Sequence, residues 1–176
     1  MSVHRLLSAL LISLALIGCG PSVKERKEAI AKSVLVRFTP LAPTTVDRDG
    51  EWFEYSAHIS NGSKGTIWIS RIATPKAVSS YLTDRNPEAL CYEVQKHRNG
   101  KLWGDANHGL TGTQRESVAI EPGQTKEFKV PIRVSDATFK DAESIRIALW
   151  VYSGKKGSDE SQVKSNEVPF PPTTGA

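Results

Sequence analysis

The sequence predicts an all-β fold, a sandwich of about seven to nine short strands. Three observations predict it. From residue 33 onward, apolar residues alternate with polar ones in run after run, the period that buries one face of a strand. Asp-Gly, Asn-Gly and Pro-Gly pairs separate the runs. No long amphipathic helical pattern interrupts them. The chain has 176 residues, a formal charge of +4, 39% hydrophobic and 7% aromatic residues and two cysteines. That is one domain's length on a scale of roughly 100–200 residues per domain. It is too apolar and too weakly charged for a disordered chain. After the N-terminal segment no apolar run reaches the ~18 residues of a membrane-spanning helix, which excludes a polytopic membrane protein.

The first nineteen residues read as a targeting segment. Met1 to Arg5 are short and positive, and Leu6 to Ile17 are Leu, Ile, Ala and Ser. Helical, that apolar run spans about 18 Å, too short for a bilayer core of about 30 Å. It fits a secretory h-region. The segment ends in Leu16-Ile17-Gly18-Cys19. This tetrapeptide resembles the lipobox of bacterial lipoproteins cleaved by signal peptidase II. The resemblance implies that the Cys19 thiol takes a diacylglycerol, that the chain is cut before it, and that the new amine is often acylated. A cysteine suits this step because its thiolate is a strong nucleophile. Each buried CH₂ contributes about 0.8 kcal/mol and one chain binds only reversibly, so two or three chains on Cys19 would hold firmly. Residue 20 is Gly, not the Asp that retains members of that family at the inner membrane. The resemblance therefore implies the outer membrane, with the domain facing the periplasm.

The expected organisation is a signal peptide over 1–18, a lipidated cysteine and tether over 19–32, a sandwich over 33–170 and a disordered tail over 171–176. Cleavage removes Arg5, so 23 basic residues less one stand against 19 acidic, or +3. That mild balance gives no reason to invoke nucleic acid. Cys91 remains as a lone thiol, so stability must come from the core rather than a disulfide. A domain near 150 residues can bury about 68–70% of its unfolded surface.

Residues 20–32, GPSVKERKEAIAK, have no broad apolar face. Ser22 with Glu25 is a capping-box pattern, and Glu28–Lys32 is an i,i+4 pair in the favourable order. The segment is either a short helix or a solvated tether reaching about 45 Å when extended.

Strands follow in order. Val34, Val36 and Phe38 alternate with Leu35, Arg37 and Thr39. Phe53, Tyr55, Ala57 and Ile59 alternate with Glu54, Ser56 and His58. Residues 66–73, TIWISRIA, are β-rich. Phe128, Val130, Ile132 and Val134 alternate with Lys129, Pro131 and Arg133, and Ile145, Ile147, Leu149 and Val151 with Arg146, Ala148, Trp150 and Tyr152. Shorter candidates are 90–97, 101–103, 116–121 and 163–170. Asn99-Gly100 is the best hairpin signal, a two-residue type I′ turn. Residues 76–90 hold either one helical turn or a loop.

The runs IEPGQTKEFKVPI (120–132), SIRIALWVYS (144–153) and SNEVPF (165–170) resemble those of immunoglobulin-like or fibronectin-type sandwiches. The resemblance implies that fold over roughly 33–170. The Cys…Trp…Cys spacing of antibody domains is absent. Such a fold implies no function by itself.

Catalytic motifs are few. There is no G-x-S-x-G, and Asn61-Gly62-Ser63-Lys64-Gly65 reads as a turn. Cys91 with His97 or His108 as base is the one nucleophile candidate, although an unpaired cysteine usually behaves as a small buried hydrophobe. His58, His97 and His108 form no metal signature. Asp47-Arg48-Asp49-Gly50-Glu51 starts like a calcium loop, but His58 stands where its final Glu belongs. Gly109–Thr113 lacks the lysine of a phosphate loop. The loop 104–115 is a contact candidate, since binding residues favour loops.

The strongest constellation is aromatic and basic. With the odd positions of 145–151 as core, Arg146, Trp150 and Tyr152 turn to the other face. The same alternation sends Arg133 outward and sets Trp52 opposite Phe53. A two-residue hairpin turn pairs Arg98 with Lys101 and Lys96 with Trp103, a register that would allow Lys96 to sit over an indole. Outward Trp, Tyr and Arg are the types enriched at interfaces. The expectation is a non-enzymatic lipoprotein, without cofactor or metal, whose sandwich binds a protein or other envelope component in the periplasm. A periplasmic inhibitor or immunity protein against a toxin or lysozyme-like enzyme is a second reading. An envelope hydrolase using Cys91 or His108 is the competing class.

Overall fold

A computed structural model describes residues 20–47, 50–72, 90–99, 101–106, 115–133, 139, 141–154 and 159–171. Cys19 with the rest of the lipobox, residues 76–89, His108 and the tail from 172 lie outside the described residues, as do 107–114 of the contact-candidate loop.

The first element is a helix, α1 (Val23–Ser33). Of the two readings of this segment, the helix forms because its capping box closes. The Ser22 amide donates to Glu25 Oε2 at 2.6 Å and the Glu25 amide to Ser22 Oγ at 3.2 Å. The Ser22 amide holds the Glu25 carboxyl below its usual range. The i,i+4 pair that closes is Lys24–Glu28, at 3.9 Å. One apolar residue, Ile30, is buried. Polar bonds do the rest of the docking. Ser161 Oγ donates to Lys27 O at 2.9 Å, and Arg26 Nε donates to Asp159 Oδ2 at 2.8 Å. The segment expected to tether the domain is thus clasped onto it.

Ten strands follow among the described residues: β1 (Val34–Asp47), β2 (Gly50–Asn61), β3 (Ile67–Ile72), β4 (Glu93–Arg98), β5 (Lys101–Ala106), β6 (Arg115–Ile120), β7 (Thr125–Arg133), β8 (Ser144–Tyr152), β9 (Ser161–Lys164) and β10 (Val168–Pro169). Each expected run is found. The count exceeds nine because the 163–170 run is two strands, broken at 165–167.

The strands form two antiparallel sheets. The smaller has the order β1-β2-β7. The larger is built on β8, with β4 and then β3 along one side, β10 and then β9 along the other, β5 beyond β4 and β6 beyond β3. The inward positions of both sheets make one core. Phe38 stacks on Tyr55 with centroids 4.6 Å apart, and Phe170 meets Phe53 edge-on at 5.4 Å. Ile145, Ile147, Leu149 and Val151 are fully buried, each such side chain contributing about 1.5–3 kcal/mol. Tyr92 reaches across the core, its hydroxyl donating to Pro131 O at 2.8 Å.

Strand ends nearest α1 form one end of the sandwich, called here the base. Asn61 ties it together. Its side-chain amide donates to Gly65 O at 2.9 Å and to Ile120 O at 2.8 Å, and its Oδ1 accepts the Ser63 amide at 2.9 Å. The Gly62 amide donates to Ser33 O at 2.8 Å, and a Cβ on Gly62 would lie 2.8 Å from that oxygen, so glycine is required. The Pro122-Gly123 turn has Gly123 at φ 74°, the left-handed backbone that glycine permits. At the other end, the tip, Asn99 takes φ 51° in the β4–β5 turn.

A seam joins the two sheets beside β1. Asn166, in the break between β9 and β10, accepts the Phe38 amide on Oδ1 at 2.7 Å and donates from Nδ2 to Phe38 O at 2.9 Å. Its neighbour Ser165 accepts the Ile147 amide on Oγ at 3.0 Å.

Candidate functional site

Register separates the residues that alternation within single strands groups together. Arg146, Trp150 and Tyr152 lie on the outer face of the larger sheet, as expected. Lys96 pairs with Trp103, and Arg98 with Lys101, also as expected. But Lys96 also pairs with Ile145, and paired residues share a face. Lys96 therefore belongs to the inward side, near the tip, and not with Trp150. Arg133 pairs with Trp52 on β2, which puts it on the smaller sheet, across the sandwich. Trp52 does oppose Phe53, yet it is 2% exposed and offers no surface.

The outer face of the larger sheet is laid out by β8. Gln95 pairs with Arg146, Glu93 with Ala148, Gln162 with Trp150 and Trp68 with Tyr152. Arg146 Nε donates to Gln95 Oε1 at 2.8 Å. Gln162 Nε2 donates to Glu93 Oε2 at 3.3 Å. Glu93 and Gln162 come from the two strands flanking β8, so their bond crosses it beside Ala148. The small side chain leaves room, and Ala148 is covered to 1% exposure. Farther toward the base, Ser70 Oγ donates to Tyr152 Oη at 3.3 Å, which donates to Glu160 Oε1 at 3.0 Å. Trp150 stands among these bonded groups with 36% of its surface exposed. The other exposed large apolar residues described are Val23 on α1 and Leu35 and Leu41 on β1.

Trp68 is the site residue that the strand-by-strand reading missed. Its signal was present, since Trp68 and Ser70 alternate with the buried Ile67 and Ile69. Only its pairing with Tyr152 makes it part of the aromatic patch.

The outer face of the smaller sheet differs in chemistry. Ser60 and Thr125 hydroxyls meet at 2.7 Å. Ser56 Oγ donates to Glu127 Oε1 at 2.6 Å and lies 3.2 Å from His58 Nε2.

Cys91 is half-buried and its amide donates to Ser70 O at 3.0 Å. His97 is six residues farther along a largely extended chain, roughly 20 Å away. His97 is also engaged elsewhere, its Nδ1 on the Glu167 carboxylate. The pair cannot act as nucleophile and base. Among the described residues no three His, Cys, Asp or Glu gather as a metal site, and no helix is long and apolar enough to cross a membrane.

No family model and no curated protein matches the chain. Among solved structures it is similar to Northeast Structural Genomics Consortium target SoR45, at 12% identity and a TM-score of 0.44, over 83% of this chain and 91% of that one. It is similar to the putative ApaA protein of Bordetella pertussis at 11% identity and 0.43, over 81% and 94%. A β-glucuronidase of Bacteroides uniformis matches at 10% identity and 0.34, over 77% of this chain and 13% of that one. At these scores none of them says what the chain does.

Proposed function

We propose that the chain is a non-enzymatic lipoprotein, anchored through Cys19 at the outer membrane, whose periplasm-facing domain binds a protein or other envelope component through the outer face of the larger sheet. Trp150 carries the proposal. An exposed indole sits within a frame of side chains that are already bonded to one another. A pre-ordered aromatic surface loses little side-chain freedom on binding. Aromatic and Arg side chains dominate binding hot spots. The anchor is supported by the short apolar run and by Leu16–Cys19.

The fold is read as immunoglobulin-like. In favour stands the order β1-β2-β7, which parallels strands A, B and E of that fold, with β3, β8 and β9 in the places of C, F and G. The β4–β5 hairpin is then an insertion after the third strand.

Crosslinking the mature protein in its native envelope tests the function. A specific partner should be captured, and Trp150→Ala should lower its yield at least about ten-fold with the circular dichroism spectrum unchanged. Lys129→Ala, on the opposite outer face, should leave the yield alone. Equal yields from the Trp150→Ala and native proteins would refute the binding face. Cys19→Ser should release the protein from membranes, and continued membrane association would refute the anchor.

A further inference from the structure

Between Cys19 and the first helical residue stand only Gly20, Pro21 and Ser22. They span at most about 11 Å, against the ~45 Å available had residues 20–32 been extended. The helix that follows is held to the domain at three places. Ile30 enters the core, Lys27 O accepts from Ser161, and the Arg26 guanidinium grips Asp159 while its Nη1 donates to Pro21 O at 2.6 Å. That last bond pins the chain on the Cys19 side of the helix.

All three anchoring points lie at the base. Ser161 pairs with Val151, near the end of β8, and Asp159 precedes it. The aromatic patch lies at the same end, since Tyr152 closes β8 and pairs with Trp68 near the start of β3. The tip, with the β4–β5 turn, is about 30 Å away along the nine-residue β8.

We infer that α1 is a clasp which seats the base of the lipidated domain on the bilayer, so that the Trp150 face meets a partner that is itself at the membrane surface. This rests on the Cys19 anchor proposed above. A solvated tether would let the domain search tens of ångströms of periplasm. The clasp removes that freedom and holds Trp150 and Tyr152 beside the headgroups.

Energy transfer to a lipid-borne acceptor measures the seating. The lipidated full chain, carrying Cys91→Ser, takes a donor dye at Lys64→Cys on the base or at Lys101→Cys on the tip. Both positions are exposed. In phosphatidylethanolamine–phosphatidylglycerol vesicles the base dye should transfer at least about twice as efficiently as the tip dye, given the ~30 Å between them. Asp159→Asn, which leaves the core intact, should narrow that difference, and Arg26→Ala with Ile30→Ser should abolish it. Equal transfer from base and tip in a chain with lipid confirmed on Cys19 by mass spectrometry would overturn the seating while leaving the anchor intact. A difference that survives both undocking variants would overturn the role of α1. An unmodified Cys19 would overturn the anchor and the inference together. The partner captured by a soluble Cys19→Ser chain should itself come from the membrane fraction, and its recovery from the soluble periplasm would overturn the partner assignment.

Discussion

The two sheets bury the same kind of inner face by different means. β2 and β7 run as one unbroken ladder from Trp52–Arg133 to Ser60–Thr125. Their backbone groups satisfy each other, and the outward side chains form short hydroxyl and carboxylate pairs. The larger sheet has no such continuity. β8 is flanked on one side by β4 and then β3, and on the other by β10 and then β9. Its joins need other devices: the isolated Arg71–Leu90 bridge, the Cys91 amide on Ser70 O, and Ser165 on Ile147 at the β9–β10 break, where Asn166 ties the larger sheet to β1 of the smaller. Where the ladder is interrupted, particular side chains do what the backbone does along β2 and β7; the β1–β2 ladder of the smaller sheet itself shifts register at Pro40–Ala42 and Ala42–Thr45. It is also the interrupted sheet that carries the exposed indole, Trp150.

The largest test of this contrast is at the break. Asn166→Ala removes both bonds to Phe38 and leaves the amide and carbonyl of that edge-strand residue without their partner. The expected loss is about 2–3 kcal/mol, or a fall of roughly 5–10 °C in Tm for a domain of this size. Calorimetry would measure it, and a change within experimental error would show that the seam is ornamental. Phe in place of tyrosine sharpens the comparison on the inner faces. Tyr92, leading into β4, donates to Pro131 O, so Tyr92→Phe should cost about 1 kcal/mol. Tyr55 on β2 has a buried hydroxyl with no partner among the described residues. Tyr55→Phe should therefore be neutral or stabilising by up to about 1 kcal/mol. Burial pushes both phenols upward in pKa, so both stay protonated throughout. Denaturant unfolding of the two variants would read the difference, and equal losses would erase the distinction.

The smallest effect concerns α1, which belongs to neither sheet. The hydrogen bond from Arg26 holds the Asp159 carboxyl below its usual range. A depressed carboxyl stabilises the docked state above the ordinary Asp pKa of about 3.9, and that contribution is lost as pH falls through the folded value. Protection of the α1 amides, measured against their intrinsic exchange rates, should fall as pH drops below the ordinary Asp value of about 3.9, before protection in β2 or β7 does. A parallel fall in both would argue against a separately held helix.

Much of this was legible in the sequence, for identifiable reasons. Strands announce themselves through alternation, and every expected run forms strand, the 163–170 run as two. The Asn99-Gly100 turn sets its own register, so Lys96–Trp103 and Arg98–Lys101 pair as the residues require. What alternation cannot say is which strands share a sheet. Arg133 and Trp150 both fall on the outward parity of their strands, yet their strands belong to different sheets. Lys96 looked like a surface cation because it is charged, but its parity with Val94 and Tyr92 assigns it to the inner side. The docking of α1 was invisible locally. It depends on one apolar residue and on partners more than a hundred positions away in the chain. The surface patch was half legible: Trp150 and Tyr152 followed from β8, while Trp68 needed a neighbouring strand.

Asn166 has one more consequence. β1 lies at the rim of its sheet, where an unpaired strand can recruit another chain and begin a fibre. At Phe38 the amide of Asn166 already occupies the donor and the acceptor that an incoming chain would need. Two positions on, Pro40 offers no N–H at all. Copies crowded side by side, as the proposed lipid anchor would bring them, meet a blunted margin here and do not zip to their neighbours through Phe38 or Pro40 of this strand.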